Sequence, residues 1–239
     1  YVDFQKIYSA DRENGKSEVL IVAMPKPIVD SYVSCAEKAG LIPFSLEVES
    51  QATVRAVVKK ENCDYSLAII DLGRDGSNLI IYSGNSIRFT SSINISSKEL
   101  SECVSPDSGA EKKESGEKNK NLSDAGKKSD KIETVSPALN EFGAQVEKYL
   151  DFYMEHFFHD GIKPEEKVCK IVLCGGGAEL KGLAEFLSSK IKVPVEVADS
   201  FKDVIINSKK IRIKNPLSFV TALGLAERGV AEGGVYPHI

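Results

Sequence analysis

The chain has 239 residues, with 31 Lys and Arg against 35 Asp and Glu, a net charge of −4 and a pI near 5.6. A nucleic-acid binder needs a basic face, and a bilayer span needs an apolar run of roughly 20 residues; the sequence offers neither. Its 42% hydrophobic and 28% charged residues describe globular material, enough for one large domain or two ordinary ones.

Val2–Tyr8 and Val19–Ala23 alternate like strands and are joined through Asn14-Gly15, a strong hairpin signal. The chain opens inside an element and has no initiator methionine, so a truncated or processed piece is expected. Pro25 and Pro27 cannot donate to a ladder and stop the second strand. Ile28, Val29, Tyr32, Val33, Ala36 and Ala39 then recur at helical spacing, with Gly40 where a left-handed C-cap falls. LIPFSLEVE, residues 41–49, predicts a further strand, and Ser50 an N-cap for a helix to about Lys60.

Three short β-runs follow, DYSLAIIDLG, SNLIIYSG and NSIRFTSSI, separated by RDG and SGN, and predict an antiparallel meander. Residues 105–131 contain one large apolar side chain, Leu122, and cannot bury enough surface to offset ordering entropy; they predict a disordered loop. A helix from about Ser136 to Phe158 carries Leu139, Phe142, Val146, Tyr149, Tyr153 and Phe157 on one stripe. Strand Val168–Cys174, helix Glu179–Lys190, strand Val193–Val197 and helix Pro216–Glu227 complete a βββαβαβα order.

The five cysteines form no C-x-x-C pair, and their odd number suits a reducing compartment. Cys169 and Cys174 bracket an apolar strand and predict small buried hydrophobes. His156 and His159 share a helical spacing without a third ligand, which predicts a solvated face.

Two glycine turns carry the chemistry. Asp71-Leu72-Gly73 ends the first meander strand and Gly76-Ser77 begins the second. Such a turn can aim backbone N–H groups at an anion, and an aspartate at the strand end suits hydrated Mg²⁺, which takes one or two carboxylates plus phosphate oxygens. KIVLCGGGAELKG packs Gly175, Gly176 and Gly177 directly after a strand. Three glycines cost conformational entropy, and bare backbone there admits either a tight turn or a closely bound ligand.

In this order and with this Asp-x-Gly hairpin, the chain resembles the superfamily of actin, heat-shock chaperones and sugar kinases. More closely, VLIVAMPKPIVDSYVSCAEKAGLIPFSLEVESQATVRAV, VEKYLDFY, LCGGGAELKGLAEFLSSKIKVPVEVADSF and NPLSFVTALGLAERG are similar to the PilM family, FtsA-related actin-like components of type IV pilus assembly. The resemblance covers most of residues 18–230 apart from 98–135. It implies an α/β, actin-like fold with a ribonuclease-H-like core. It also implies a small inserted α+β subdomain over 1–44, a return segment over 45–62, a second actin-like domain over 63–214, and a C-terminal helix and tail over 215–239.

The same resemblance implies ATP binding in the intact protein by Asp71, Leu72, Gly73, Arg74, Gly76 and Ser77 at the hairpin and by Gly175, Gly176, Gly177 and Leu180 at the adenosine loop. Asp71 is the implied Mg²⁺ carboxylate. The implied partner is a PilN-like bitopic inner-membrane protein, through its short cytoplasmic N-terminal segment and the Val19–Val48 region; self-association is a further possibility. The chain is then expected in the cytoplasm, peripheral to the inner membrane through partners and without direct insertion. Three departures stand out: no Asp-x-Gly hairpin precedes Asp71, Asp75 in the hairpin repels phosphate where Arg74 can hold one, and the 105–131 loop replaces a more ordered stretch. No residue is assigned a catalytic role, so at most weak ATPase activity is expected. The alternatives are an FtsA-like cell-division protein, whose basic amphipathic tail VAEGGVYPHI does not supply, and a small-molecule kinase, for which residues 1–44 are small and a base is missing.

Overall fold

The computed structural model describes residues 1–7, 18–58, 66–104, 136–157, 167–201 and 213–231. The Asn14-Gly15 turn, the 105–131 loop and the C-terminal tail lie outside them.

The first element pair is an antiparallel hairpin, β1 (Val2–Ile7) with β2 (Glu18–Ala23), in the register Phe4↔Ile21. Helix α1 (Lys26–Lys38) follows. It ends as its glycine predicts: Gly40 takes φ +75°, its N–H reaches the Glu37 carbonyl at 2.9 Å and the Leu41 N–H reaches Ala36 at 2.9 Å. This pair of bonds satisfies carbonyls that the last turn leaves open.

Residues 41–48 are not a strand, contrary to their alternating pattern; they run without a ladder into α2 (Glu49–Val57). Val48, in extended conformation, occupies the N-cap position that the sequence assigns to Ser50, and no side chain caps the helix. Glu47 points inward, its side chain 1% exposed, and accepts two bonds from Arg55 at 2.6 and 2.7 Å and one from Arg228 at 3.0 Å. Burial works against this carboxylate, but the Arg55 and then the Arg228 guanidinium outweigh it and lower its pKa.

The main body is a five-stranded sheet in the order β5-β4-β3-β6-β7. Strands β3 (Ser66–Leu72), β4 (Ser77–Ser83) and β5 (Ser86–Ile93) form the antiparallel meander. Their second turn places Gly84 at φ +56° and Asn85 at φ +60°, the primed geometry that matches strand twist. Parallel strands β6 (Val168–Cys174) and β7 (Val195–Val197) add on the other side of β3, which is why every position of β3 is buried.

Helix α3 (Ser97–Val104) falls where no helix is expected from the sequence. Its start is a capping box: the Glu99 carboxylate accepts from the Ser96 N–H at 2.8 Å, and the Ser96 hydroxyl accepts from the Glu99 N–H at 3.2 Å. Helix α4 (Pro137–Phe157) buries Leu139, Phe142, Val146 and Tyr153 as its periodicity predicts, and Leu150 with them. Helix α5 begins at Leu183 and not near Glu179. Residues 175–182 close successive short turns, Ala178 to Gly175, Leu180 to Gly177 and Leu183 to Leu180, and Gly182 at φ +80° breaks continuity into the helix.

Pro216–Phe219 is a 3-10 turn that leads into α6 (Val220–Ala231). α2 and α6 pack so closely that a Cβ on Gly224 would collide with the Ala52 carbonyl. One buried cluster joins Val54 and Ala56 of α2, Ile69 and Ile70 of β3, Phe142 of α4, Leu187 of α5 and Val220 of α6. Cys174 belongs to it, whereas Cys169 is exposed rather than buried, its thiol donating to the Ser66 carbonyl at 3.5 Å.

Candidate functional site

Three parallel strands, β3, β6 and β7, end at the same edge of the sheet. Asp71 pairs with Cys174 in register there, and ligands of open α/β sheets bind outside such carboxyl ends. Alternation along β3 sends Asp71 to the face shared with Leu67 and Ile69, and Leu72 to the opposite one.

Asp71 meets α2 on its face of the sheet. It is 8% exposed, and its pKa is raised to about 6, first by burial and then by the Glu49 charge, while a hydrogen bond from Thr53 works the other way. Glu49 and Thr53 are one helical turn apart on α2 and so face the same way. The first residue of the helix and its fifth thus bring one carboxylate and one hydroxyl to Asp71.

Two adjoining cavities open here. A cavity of about 500 Å³ is lined by Glu49, Thr53, Asp71, Asn78 and Ser92, among others. A second of about 270 Å³ follows the β3–β4 turn through Gly73, Asp75, Gly76 and Ser77 and shares Glu49, Asp71, Asn78 and Ser92 with the first. Among the described residues, the combined cleft carries three carboxylates, and neither lining includes Lys or Arg. An anion can enter such a cleft only with a cation that offsets those charges.

The residues fit Mg²⁺ in that role. The Glu49 charge adds to the cost of ionising Asp71, and a divalent cation beside the two would remove it. Among the described residues no group of three His, Cys, Asp or Glu is placed to hold a metal alone. Two carboxylates, with water and phosphate completing the shell, is the habit of Mg²⁺ rather than of a closed protein site. The neighbouring Cys174 thiol is held neutral, its pKa pushed well up by burial and then by the Asp71 and Glu49 charges.

The β6 glycines behave differently. Gly175 takes φ +82°, and a Cβ there would run into the Asp71 carboxylate and, at 2.7 Å, the Leu72 amide nitrogen. A Cβ on Gly177 would collide with Ser97, and its N–H donates to the Leu72 carbonyl at 3.1 Å. Only Gly176 is exposed; its carbonyl accepts from Asn215 at 3.1 Å, and a Cβ would lie 3.0 Å from the Ser218 hydroxyl.

The family model described as type IV pilus assembly protein PilM matches residues 1–230. The chain belongs to the PilM family. Among solved structures, this PilM-family chain is similar to one from a PilM–PilN type IV pilus biogenesis complex, with 20% identity and a TM-score of 0.67 over 96% of this chain and 66% of that one. MreB5 of Spiroplasma citri, solved with ADP and with AMPPNP, matches at 14% identity and a TM-score of 0.53, over 89% of this chain and 69% or 68% of theirs. These likenesses establish an actin-like fold. The PilM-family chain spans just under two thirds of the PilM–PilN chain's length.

Of the residues that the sequence nominates, the fold brings Asp71, Gly73, Gly76 and Ser77 into one cleft, with Gly175 packed behind Asp71. The Leu72 side chain is buried, and Arg74 is exposed in the turn. Gly176, Gly177 and Leu180 line neither cavity. Ser77 lines the second cavity, and its hydroxyl proton goes to the Ile95 carbonyl at 2.8 Å. Glu49, Thr53 and Asn78 escape a motif search, because only tertiary packing carries them to Asp71. The one sequence signal is a Glu and a Thr at i and i+4 at the start of an amphipathic helix.

Proposed function

We propose that the full-length protein is an actin-like scaffold of a type IV pilus machine that binds ATP as its Mg²⁺ complex in the Asp71 cleft. The buried Asp71 carboxylate facing Glu49 at the glycine turn carries this reading: it is a site short of positive charge at the ligand-binding edge of the sheet. When bound, Mg²⁺ would supply charge neutralisation for the phosphates. Asp71 and Glu49 would hold it through water, Thr53 would fix Asp71, and Gly73 to Gly76 would give the phosphates room. Nucleotides in the MreB5 structures support the assignment by fold. The exposed Gly176 is then the one glycine of its loop with a face to offer adenosine.

The proposed partner is a PilN-like bitopic membrane protein, supported by the PilM–PilN complex among the structural relatives. The first forty-odd residues expose Phe4, Ile21, Tyr32, Leu41 and Ile42, apolar side chains that a docked peptide would cover. No helix among the described residues is long and apolar enough to cross a membrane, and the acidic pI opposes anionic headgroups. In this reading, membrane attachment runs through the partner. Isothermal titration of ATP·Mg²⁺ into the full-length protein tests the nucleotide reading: saturable heat that EDTA abolishes is expected, and no heat contradicts it. Co-sedimentation tests the second part. The protein should stay in the supernatant with bare anionic liposomes and pellet when they display the partner's tail; tight binding to bare liposomes contradicts it.

A further inference from the structure

The cleft's two carboxylates sit on different elements, Asp71 at the end of β3 and Glu49 at the start of α2, so something must fix one relative to the other. Thr53 bonds to Asp71. On the neighbouring helix, the Thr221 hydroxyl donates to Glu49 Oε1 at 3.4 Å and lies 3.4 Å from the Thr53 hydroxyl. The close approach of Gly224 to Ala52 makes this possible. Thr221 and Gly224 lie on one face of α6, as Glu49, Ala52 and Thr53 do on α2, so helices in backbone contact press the three polar side chains together.

A hydroxyl has one proton to give. If Thr221 donates to Glu49, it holds that carboxylate beside Asp71 while Thr53 keeps its own proton for Asp71. If Thr221 donates to Thr53 instead, Glu49 loses a donor. Both 3.4 Å separations are long for O–H···O bonds, as catalytic and binding networks often are before the ligand arrives. We propose that Thr221 of α6 is a positioning residue that orients Glu49 toward Asp71 and thereby sets the affinity of the cleft for a divalent cation. The inference rests on the reading of this cleft as the cation end of a nucleotide site. It makes α6, which contributes no residue to either cavity lining, part of the binding unit.

The test uses the full-length protein, Mn²⁺ as the probe cation and ATP, with free Mn²⁺ read by electron paramagnetic resonance. Loss of an outer hydrogen-bonding partner typically weakens metal affinity by about tenfold or more, so Thr221→Val should release Mn²⁺ by about that factor. Thr221→Ser keeps the hydroxyl and should restore retention, which a merely structural role for the methyl would not do. The metal-free thermal midpoint of each variant separates binding from folding. Thr221→Ala removes the same hydroxyl without added bulk if the valine variant unfolds. Retention in Thr221→Val or Thr221→Ala equal to wild type overturns the positioning role alone. Absence of retained Mn²⁺ in the wild type with ATP overturns the nucleotide reading and this inference with it.

Discussion

Two glycine turns leave neighbouring strands at the same edge of the sheet, Gly73–Gly76 after β3 and Gly175–Gly177 after β6. The second is richer in glycine, yet two of its three glycines answer to the fold: Gly175 makes room for Asp71 and the Leu72 backbone, and Gly177 for Ser97. In the first, a Cβ on Gly73 would lie 2.6 Å from the Gly76 carbonyl oxygen, so this glycine too answers to its turn, but the turn borders the cleft where Asp71 meets Glu49. In the proposed reading, the poorer motif borders the cation cleft, and the richer one chiefly lets the strands close behind it.

The comparison breaks most visibly at Gly175. A side chain at positive φ, against a carboxylate and fixed backbone atoms, should cost Gly175→Ala about 4 kcal/mol in urea unfolding. An effect within about 1 kcal/mol would mean that the loop is not wedged behind Asp71.

Asp71 should move stability in the opposite direction. Its folded pKa of about 6 exceeds the ordinary 3.8, so between those values the folded state binds more protons than the unfolded chain. Stability therefore falls as pH rises from 4 to 6, and the full penalty stands at neutral pH. Asp71→Asn should stabilise the metal-free protein by up to about 3 kcal/mol at pH 7 and flatten that slope, while losing the response to ATP·Mg²⁺. Urea titrations at a series of pH values check both parts.

Glu47 supplies a contrast away from both turns. Its pKa is lowered in the fold, so its contribution is complete above the ordinary carboxylate range and is lost as pH falls through the lowered folded value. Glu47→Gln should cost about 2 kcal/mol at pH 7 by leaving Arg55 and Arg228 short of charge, without altering Mn²⁺ retention. A large loss of retention would tie the cleft to this clamp instead.

The smallest effect belongs to Gly176→Ala. The position is exposed and the facing Ser218 hydroxyl can rotate, so stability should change by less than about 1 kcal/mol.

Sequence and fold agree wherever local chemistry is strong. The Gly84-Asn85 turn, the Gly40 cap and the stripe of α4 are all local signals, and each element stands where they put it. The misreadings share a physical origin. Residues 41–48 are rich in apolar side chains, but the fold leaves Leu41, Ile42 and Leu46 exposed and ties Glu47 to two arginines, so the segment imitates a strand without a partner strand. The α3 capping box at Ser96 and Glu99 was legible, but the charged stretch after it masked a helix of eight residues. In the site, Asp71 was readable from its glycine turn. Glu49, Thr53 and Thr221 were not, because packing α2 and α6 against the end of β3 brings them to Asp71, and only the i, i+4 spacing of Glu49 and Thr53 shows in the chain.

The division of labour between the two turns is tested most directly by the rise in thermal midpoint that ATP·Mg²⁺ causes in the full-length protein, compared among wild type, Asp71→Asn and Gly176→Ala. A ligand selective for the native state must raise the midpoint. The account predicts a clear rise in wild type, no rise in Asp71→Asn despite its higher starting midpoint, and a reduced rise in Gly176→Ala from an almost unchanged one. A rise in Asp71→Asn equal to that of wild type would contradict it.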